Sequence, residues 1–366
     1  MKKNFLVHAY LCKNLGDDLF VRILCNRYPK ARFHVVLDEA QREHFKDVEN
    51  LIVHTANDFA VKFHNKWMAL RKKEGNYWNH LLKTCDGSIH IGGSVFTQHL
   101  DDYSAFFNMD AKLANTSKAH FMIGGNFGPF TNPAYLEDYK ALFPKYKGLV
   151  FRDSYSAGMF PDFPNITYAS DVVFQYENKE IVSRTTKTVA ISIIALEHRG
   201  GKYSLAEYAQ DYYKAMAYTA NYYIDKGYKV NFLSFCEFEH DTMAYAEICK
   251  LLPEEKMSEV SHVCYRDNLN EILQAIADCD YLIGTRFHSV ILGFLYGKRV
   301  LPIVYGEKTS HVLEDMNFDF SIDIKDMNLE KLETMLNELE KREAFDISYQ
   351  KKDSARQFMY LDKYIK

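Results

Sequence analysis

Cysteine is scarce in this sequence. The 366 residues hold seven, at positions 12, 25, 85, 236, 249, 264 and 279. Their number is odd and no two form a Cys-x-x-Cys pair, which argues against a disulfide framework or zinc knuckle and for a reducing compartment. Glycine and proline are modest too, at 17 and 8, beside 47% hydrophobic and 26% charged residues, so a disordered or fibrous chain is excluded. No run approaches the roughly 20 uncharged apolar residues that span a bilayer. Mean hydropathy is −0.31, which leaves only peripheral contact with a membrane. An excess of one charge is also missing: 45 basic side chains face 49 acidic ones, for a net charge of −4. Nucleic-acid binding through a broad basic field is thereby excluded, and a local basic pocket is not. No His, Cys, Asp and Glu cluster has metal-ligand spacing, so no metal is expected.

The opening residues MKKNFLVHAYLC imitate a signal peptide, with two lysines before an apolar run. His8, Lys13 and the Gly16-Asp17-Asp18 turn interrupt it too early, and the stretch reads as a first buried strand. The expected location is the cytoplasm, with contact at the inner face of a membrane left open.

What is present is alternation. Short apolar runs are separated by amphipathic segments, the pattern of parallel strands covered by crossover helices in an α/β fold. Strands are expected at Phe5–Tyr10, Phe33–Leu37, Leu51–Thr55, Ser88–Ile91, His120–Ile123 and Leu149–Arg152. In the second half they are expected at Thr188–Ile194, Lys229–Phe235, Val260–Cys264, Tyr281–Gly284 and Arg299–Tyr305. Leu205, Tyr208, Tyr212, Met216, Thr219 and Tyr223 recur at helical spacing, and most of these aromatics read as core. At roughly 150 residues per domain the length suggests two domains. The polar stretch Tyr176–Lys187 is the linker candidate. The expected organisation is a first Rossmann-like domain over 1–178, a second over 188–328, and a helical tail over 329–366 that can pack back on the first. Two such halves predict a cleft, with ligands at the carboxyl ends of the strands.

The most informative stretch is Tyr281–Lys308. An apolar strand runs into Thr285-Arg286-Phe287-His288-Ser289, which opens an apolar helix. Such a turn sets backbone N–H groups and the positive end of a helix dipole beside an arginine and a histidine, which suits an anionic ligand. Arg286 can clamp a carboxylate or phosphate through paired hydrogen bonds. His288, with an unperturbed pKa of roughly 6.5, can pass a proton near neutrality. The bland alternative is an arginine paired with an acid and a histidine filling a helix end. Gly92-Gly93-Ser94 and Gly124-Gly125-Asn126 follow apolar strands and let backbone approach a ligand, but neither is a dinucleotide fingerprint or a P-loop. Asp17 and Asp18 can contact a sugar or accept its proton, and equally form an ordinary strand-to-helix turn.

Taken in order, several marks resemble the polysaccharide pyruvyl transferase family. They are Asn14 with Gly16-Asp17-Asp18, Gly92-Gly93-Ser94-Val95-Phe96, Gly124 through Phe130, Arg152-Asp153-Ser154, Ser170-Asp171-Val172, and the Arg286-Phe287-His288-Ser289 turn followed by Tyr305 and Lys308. Departures are small: Phe287 stands where Leu is common, Asn126 where a Gln-Gly-like sequence is frequent, and Gly306-Glu307-Lys308 differs slightly from Ser/Asp-x-Lys.

The resemblance implies two Rossmann-like domains with parallel sheets facing across a cleft, similar to the GT-B glycosyltransferase fold. It also implies transfer of the pyruvyl unit of phosphoenolpyruvate, as co-substrate and with no other cofactor, onto two sugar hydroxyls as a cyclic ketal. The setting would be synthesis of a bacterial surface polysaccharide, a capsule or exopolysaccharide, with a free or lipid-linked acceptor. By that resemblance His288 is the acid and Arg286 and Arg152 the anion clamps; Asp17 is the catalytic candidate of the first loop, where it or Asp18 can take the hydroxyl's proton. Lys308, Asp18, Gly93, Ser94, Asn126 and Ser289 are then substrate contacts, and Asp153 and Asp171 are structural. Two other readings stay open: a glycosyltransferase with a nucleotide-sugar donor, and a non-catalytic carbohydrate-binding protein.

Overall fold

The computed structural model describes residues 2–71, 76–184, 186–198 and 201–366. Two wholly parallel sheets carry the fold. The first contains β1 (Asn4–His8), β2 (Arg32–Val36), β3 (Leu51–His54), β4 (Gly87–Ile91), β5 (His120–Gly125), β6 (Gly148–Phe151) and β7 (Ile166–Tyr168), in the order β3-β2-β1-β4-β5-β6-β7. The second contains β8 (Thr188–Ser192), β9 (Lys229–Ser234), β10 (Val260–Cys264), β11 (Tyr281–Gly284), β12 (Arg299–Val304) and β13 (Ile322–Asp323), in the order β10-β9-β8-β11-β12-β13. The central strands β4, β5, β6, β8 and β11 are buried at every residue, which explains why they read as continuous apolar runs rather than alternating ones. Of the four edge strands, β7 and β13 are the shortest, at three and two residues, and the sequence pattern missed both.

The chain divides into two compact units. One takes residues up to Leu11, Asp17–Val172 and Asp353–Lys366; the other takes Cys12–Gly16 and Val173–Lys352. In the first, β1 packs Leu6 against Leu81, Leu82 and Leu113 of the helices Tyr77–Thr84 and Ser104–Thr116. A second, aromatic cluster joins Phe96, Phe127, Tyr139, Phe143 and Phe160 edge to face. In the second unit Tyr212, Met216 and Tyr223 of helix Ala209–Asp225 bury onto β8, β9 and β11, as the helical spacing predicts, and Ala220 packs in the same cluster.

The boundaries differ from the sequence expectation at two places. The polar stretch after Tyr176 lies along helix Leu269–Asp278: Asn178 donates to Asn270 (3.0 Å), and the Ser183 hydroxyl donates to the Ala277 carbonyl (2.7 Å). The helix satisfies its polar groups, so the division falls earlier, at Val172/Val173. Thr185 of that stretch lies outside the described residues. The tail also splits. Helix Leu329–Leu339 buries Leu332, Leu336 and Leu339 in the second unit, and only Asp353–Lys366 joins the first. Among the described residues no helix is long and apolar enough to cross a membrane.

Candidate active site

In a doubly wound parallel sheet the crossovers reverse at one point, and the loops leaving the strands there splay apart at the carboxyl ends. That point lies between β1 and β4 in the first sheet and between β8 and β11 in the second. Gly93 and Ser94 follow β4, and Arg286 and His288 follow β11, so each set of predicted residues stands at a switch point.

In the second unit, Arg286 is the residue before helix Phe287–Leu295. Its side chain is buried. Nε donates to Asp241 Oδ2 (3.0 Å), Nη2 to Asp241 Oδ1, and Nη1 to Glu239 Oε2 (2.5 Å). Asp241 Oδ2 also accepts the amides of Phe235 and Cys236, both at 3.0 Å. Burial works against the guanidinium charge, but Asp241 and Glu239 more than offset it, and the pKa rises well above its ordinary value. Burial raises the carboxyl pKa of Asp241, yet four N–H donors converge on its two oxygens, which describes the ionised form. Arg286 therefore sits between two carboxylates, and three of its five N–H groups are committed to them.

Glu239 links this pair to the first family-like mark, because Asn14 Nδ2 donates to Glu239 Oε1 (3.3 Å). Asn14 Oδ1 accepts the Gly16 amide (3.1 Å), and the Leu15 amide donates to the Phe235 carbonyl (3.1 Å). These bonds hold the Cys12–Gly16 segment on the second unit. The half-buried His288 ring then lies directly on Gly16: a Cβ there would fall on His288 Nδ1. Gly16 is thus required by a side chain far away in sequence. Phe287 packs edge-on to the same ring, at 5.0 Å between centroids.

Ser289 is placed differently from its expected substrate contact. It is fully buried, and its hydroxyl donates to the Arg286 carbonyl (2.6 Å), stabilising the helix start. Lys308, half-buried at the start of helix Glu307–Asp315, holds Nζ 5.5 Å from the centre of the Tyr305 ring.

In the first unit the loops after β4, β5 and β6 converge on Arg152, which is buried. Its Nη2 donates to Asn126 Oδ1 (2.9 Å) and Nη1 to Asp171 Oδ2 (3.2 Å). The guanidinium lies over Gly93, where a Cβ would stand 2.7 Å from Nη1. The Asn126 amide donates to the Gly93 carbonyl (2.9 Å) and the Arg152 amide to the Gly125 carbonyl (2.8 Å). Gly93, Asn126 and Arg152 are therefore brought together, and Ser94 beside them is exposed. Asp153 caps the helix Ser154–Gly158 by accepting the Ser156 amide (2.7 Å).

The two first-loop aspartates separate. Asp17 is half-buried, with Oδ1 beside Gly92, where a Cβ would be 3.6 Å away. Asp18 is wholly buried and its Oδ2 meets His44 Nε2 at 2.7 Å, so it serves the interior of the unit rather than presenting a carboxylate to a sugar. One-residue rotation on a helix turns the second carboxylate inward.

Sequence reasoning missed three groups. Asp241 and Glu239 gave only the ordinary signal of acids at a helix start. The third group is His8, His90, Asp110 and Tyr139, at the switch-point end of β1 and β4. The His8 and His90 rings are 4.7 Å apart, His90 Nδ1 meets Asp110 Oδ1 at 3.2 Å, and the Tyr139 hydroxyl donates to Asp110 Oδ2 at 2.7 Å. Burial, aided by His90, lowers the pKa of His8 to about 3. Histidines near the ends of two neighbouring strands were the available signal.

A model of the polysaccharide pyruvyl transferase family matches residues 14–307, a span that includes both the Asn14–Gly16 turn and the Arg286–His288 turn. The amylovoran biosynthesis protein AmsJ of Erwinia amylovora is 25% identical over an alignment of 258 residues that covers 64% of this chain and 60% of that protein. The match thus spans less than two thirds of the relative's length. Among solved structures, the UDP-GlcNAc 2-epimerase of Methanocaldococcus jannaschii, in complex with UDP-GlcNAc and UDP, aligns over 100% of both chains at 10% identity with a TM-score of 0.61. Anabaena Alr3699/HepE in complex with UDP-glucose aligns over 100% of this chain and 98% of its own at 11% identity, TM-score 0.55. At such identities the likeness establishes fold class alone: two parallel-sheet α/β units of the GT-B type.

Proposed function

The chain belongs to the polysaccharide pyruvyl transferase family, and on that premise we propose that it moves the enolpyruvyl unit of phosphoenolpyruvate onto two hydroxyls of a sugar, as a cyclic ketal, in synthesis of a bacterial surface polysaccharide. The chemistry has four demands. A proton must reach the methylene carbon, leaving an oxocarbenium-like centre. A first hydroxyl adds there and gives up its proton. The C–O bond to phosphate then breaks, phosphate keeping the electron pair, and the second hydroxyl closes the ketal. Of the two hydroxyl protons lost, one replaces the proton delivered to carbon and the other leaves with phosphate.

His288 is the acid in this scheme, since it is half-buried and held by Gly16 at a switch point. Asp17 is the base, being the first-loop carboxylate that is not wholly buried. The donor's anionic groups are received by Lys308 and by the dipole at the start of helix Phe287–Leu295. Arg286 and Arg152, each already engaged by carboxylate, act as positioning residues: the first holds the Asn14–Gly16 turn through Glu239, and the second holds three loops together.

The observation that carries this reading is the His288 ring seated on the Gly16 backbone, inside the span matched by the family. Replacing His288 with Ala should abolish phosphate release while phosphoenolpyruvate still raises the melting temperature. Undiminished turnover would reject the acid role. Thermal protection by UDP with no response to phosphoenolpyruvate would favour a nucleotide-sugar donor instead.

A further inference from the structure

Helix Phe59–Leu70 of the first unit turns its apolar side outward. It is anchored by buried Val61 and half-buried His64 and Met68. Phe59, Phe63, Trp67 and Leu70 are 82%, 62%, 42% and 75% exposed. At about 100° per residue these four fall within an arc of about 80°, roughly opposite the anchoring side. An ordinary surface helix does the reverse, burying its apolar stripe. The charges on this helix are equally one-sided. Lys62 and Lys66 are exposed along one edge of the arc, and Arg71 stands at the other, its guanidinium 3.8 Å from the centre of the Trp67 ring. The segment 59–71 contains no acidic residue. The nearest acid, Asp58, is engaged by Arg42 (2.5 Å) and by the Thr55 amide (2.9 Å).

We propose that this helix lies on an anionic phospholipid surface, its aromatic arc at the headgroup boundary and its cations among the lipid phosphates. Aromatic rings favour that boundary, and lysine stems can cover apolar surface while their ammonium groups stay with water and phosphate. Cations flanking an aromatic arc are the charge complement of an anionic bilayer. A second copy of the chain is the poorer occupant, because a two-fold pairing of this face would set like charges against each other. The helix begins at the carboxyl end of β3, the same end of the first sheet as Asp17 and Gly93. Lipid binding by this helix is independent of which donor the protein uses.

The test is co-sedimentation of the full chain with vesicles of equal parts phosphatidylcholine and phosphatidylglycerol, against vesicles of phosphatidylcholine alone. Binding should require the anionic lipid and weaken with salt. The double substitution Phe63→Glu and Trp67→Glu should lower partitioning by at least about tenfold with the melting temperature unchanged, both positions being exposed. The chain has two tryptophans, Trp67 and Trp78. In a Trp78→Phe variant, emission therefore reports Trp67 alone and should shift to the blue on mixed vesicles. No binding to mixed vesicles, or binding undiminished by the double substitution, would overturn the proposal. So would self-association that needs Phe63 and Trp67 without any vesicle binding.

Discussion

A single methyl group tests the seat of His288. Gly16 has ordinary backbone torsions, so alanine is tolerated by the chain itself, but its Cβ would collide with the imidazole. Gly16→Ala should reduce turnover by about a hundredfold, the scale of a misplacement of about 1 Å, with donor binding retained; near wild-type turnover would remove His288 from the chemistry. Arg286 makes a different prediction from a simple anion clamp. Arg286→Ala strands the buried Asp241 carboxylate and should destabilise the protein by about 3–5 kcal/mol in urea unfolding, whereas the joint change Arg286→Leu with Asp241→Leu should recover much of it. A stable Arg286→Ala variant would contradict the ion-paired picture. The turn bearing Arg286 and His288 was legible in the sequence, because an apolar strand running into Arg-x-His at a helix start is a local signal. Its partners were not legible: Asp241 and Glu239 lie more than forty residues away, and nothing local marks an acid as the mate of a distant arginine. Asp18 and Ser289 were misplaced for a related reason, since a polar residue's direction at a helix start depends on the packed unit rather than on the motif.

At the level of elements, the strands could be read closely because parallel strands buried on both sides are unbroken apolar runs. Val260–Cys264, Tyr281–Gly284 and the helix Leu269–Asp278 fall where the pattern puts them. The edge strands β7 and β13, three and two residues long, are too short for an apolar run to stand out. The tail shows the other limit of local pattern. Residues Asp353–Lys366 close the first unit through contacts that no periodicity announces. Gln357 Nε2 donates to the Phe151 (3.0 Å) and Ala169 (2.7 Å) carbonyls, and its Oε1 accepts the Gly124 amide (3.0 Å). Tyr360 covers Gly148, and the Tyr364 hydroxyl donates to the Asp86 carbonyl (2.7 Å). Gln357→Ala would leave these buried backbone groups without partners and should destabilise by about 2–3 kcal/mol in urea unfolding. An unchanged midpoint would mean the tail is not part of that unit's cooperative fold.

For the molecule as a whole, buried histidines contribute to the response to acid. Burial lowers the pKa of His8 to about 3 and that of His34 to about 4, and holds His120 well below the ordinary value. The unfolded chain binds protons at these sites once the pH drops below about 6.5, while the fold excludes them, so unfolding gains as acidity rises. Each such histidine removes about 1.4 kcal/mol per pH unit over that interval. Urea midpoints should therefore be flat above about pH 7 with respect to these groups and fall steeply toward about pH 5. A midpoint that holds constant through that range would show that the histidines are protonated in the fold. The activity itself is tested most directly by incubating the protein with phosphoenolpyruvate and a panel of galactose-, glucose- and mannose-type acceptors, following phosphate and acceptor mass together. The proposed transfer requires phosphate release matched by an acceptor gain of one pyruvate less one water, both lost in His288→Ala. Absence of both with every acceptor, alongside nucleotide release from a nucleotide sugar, would contradict it.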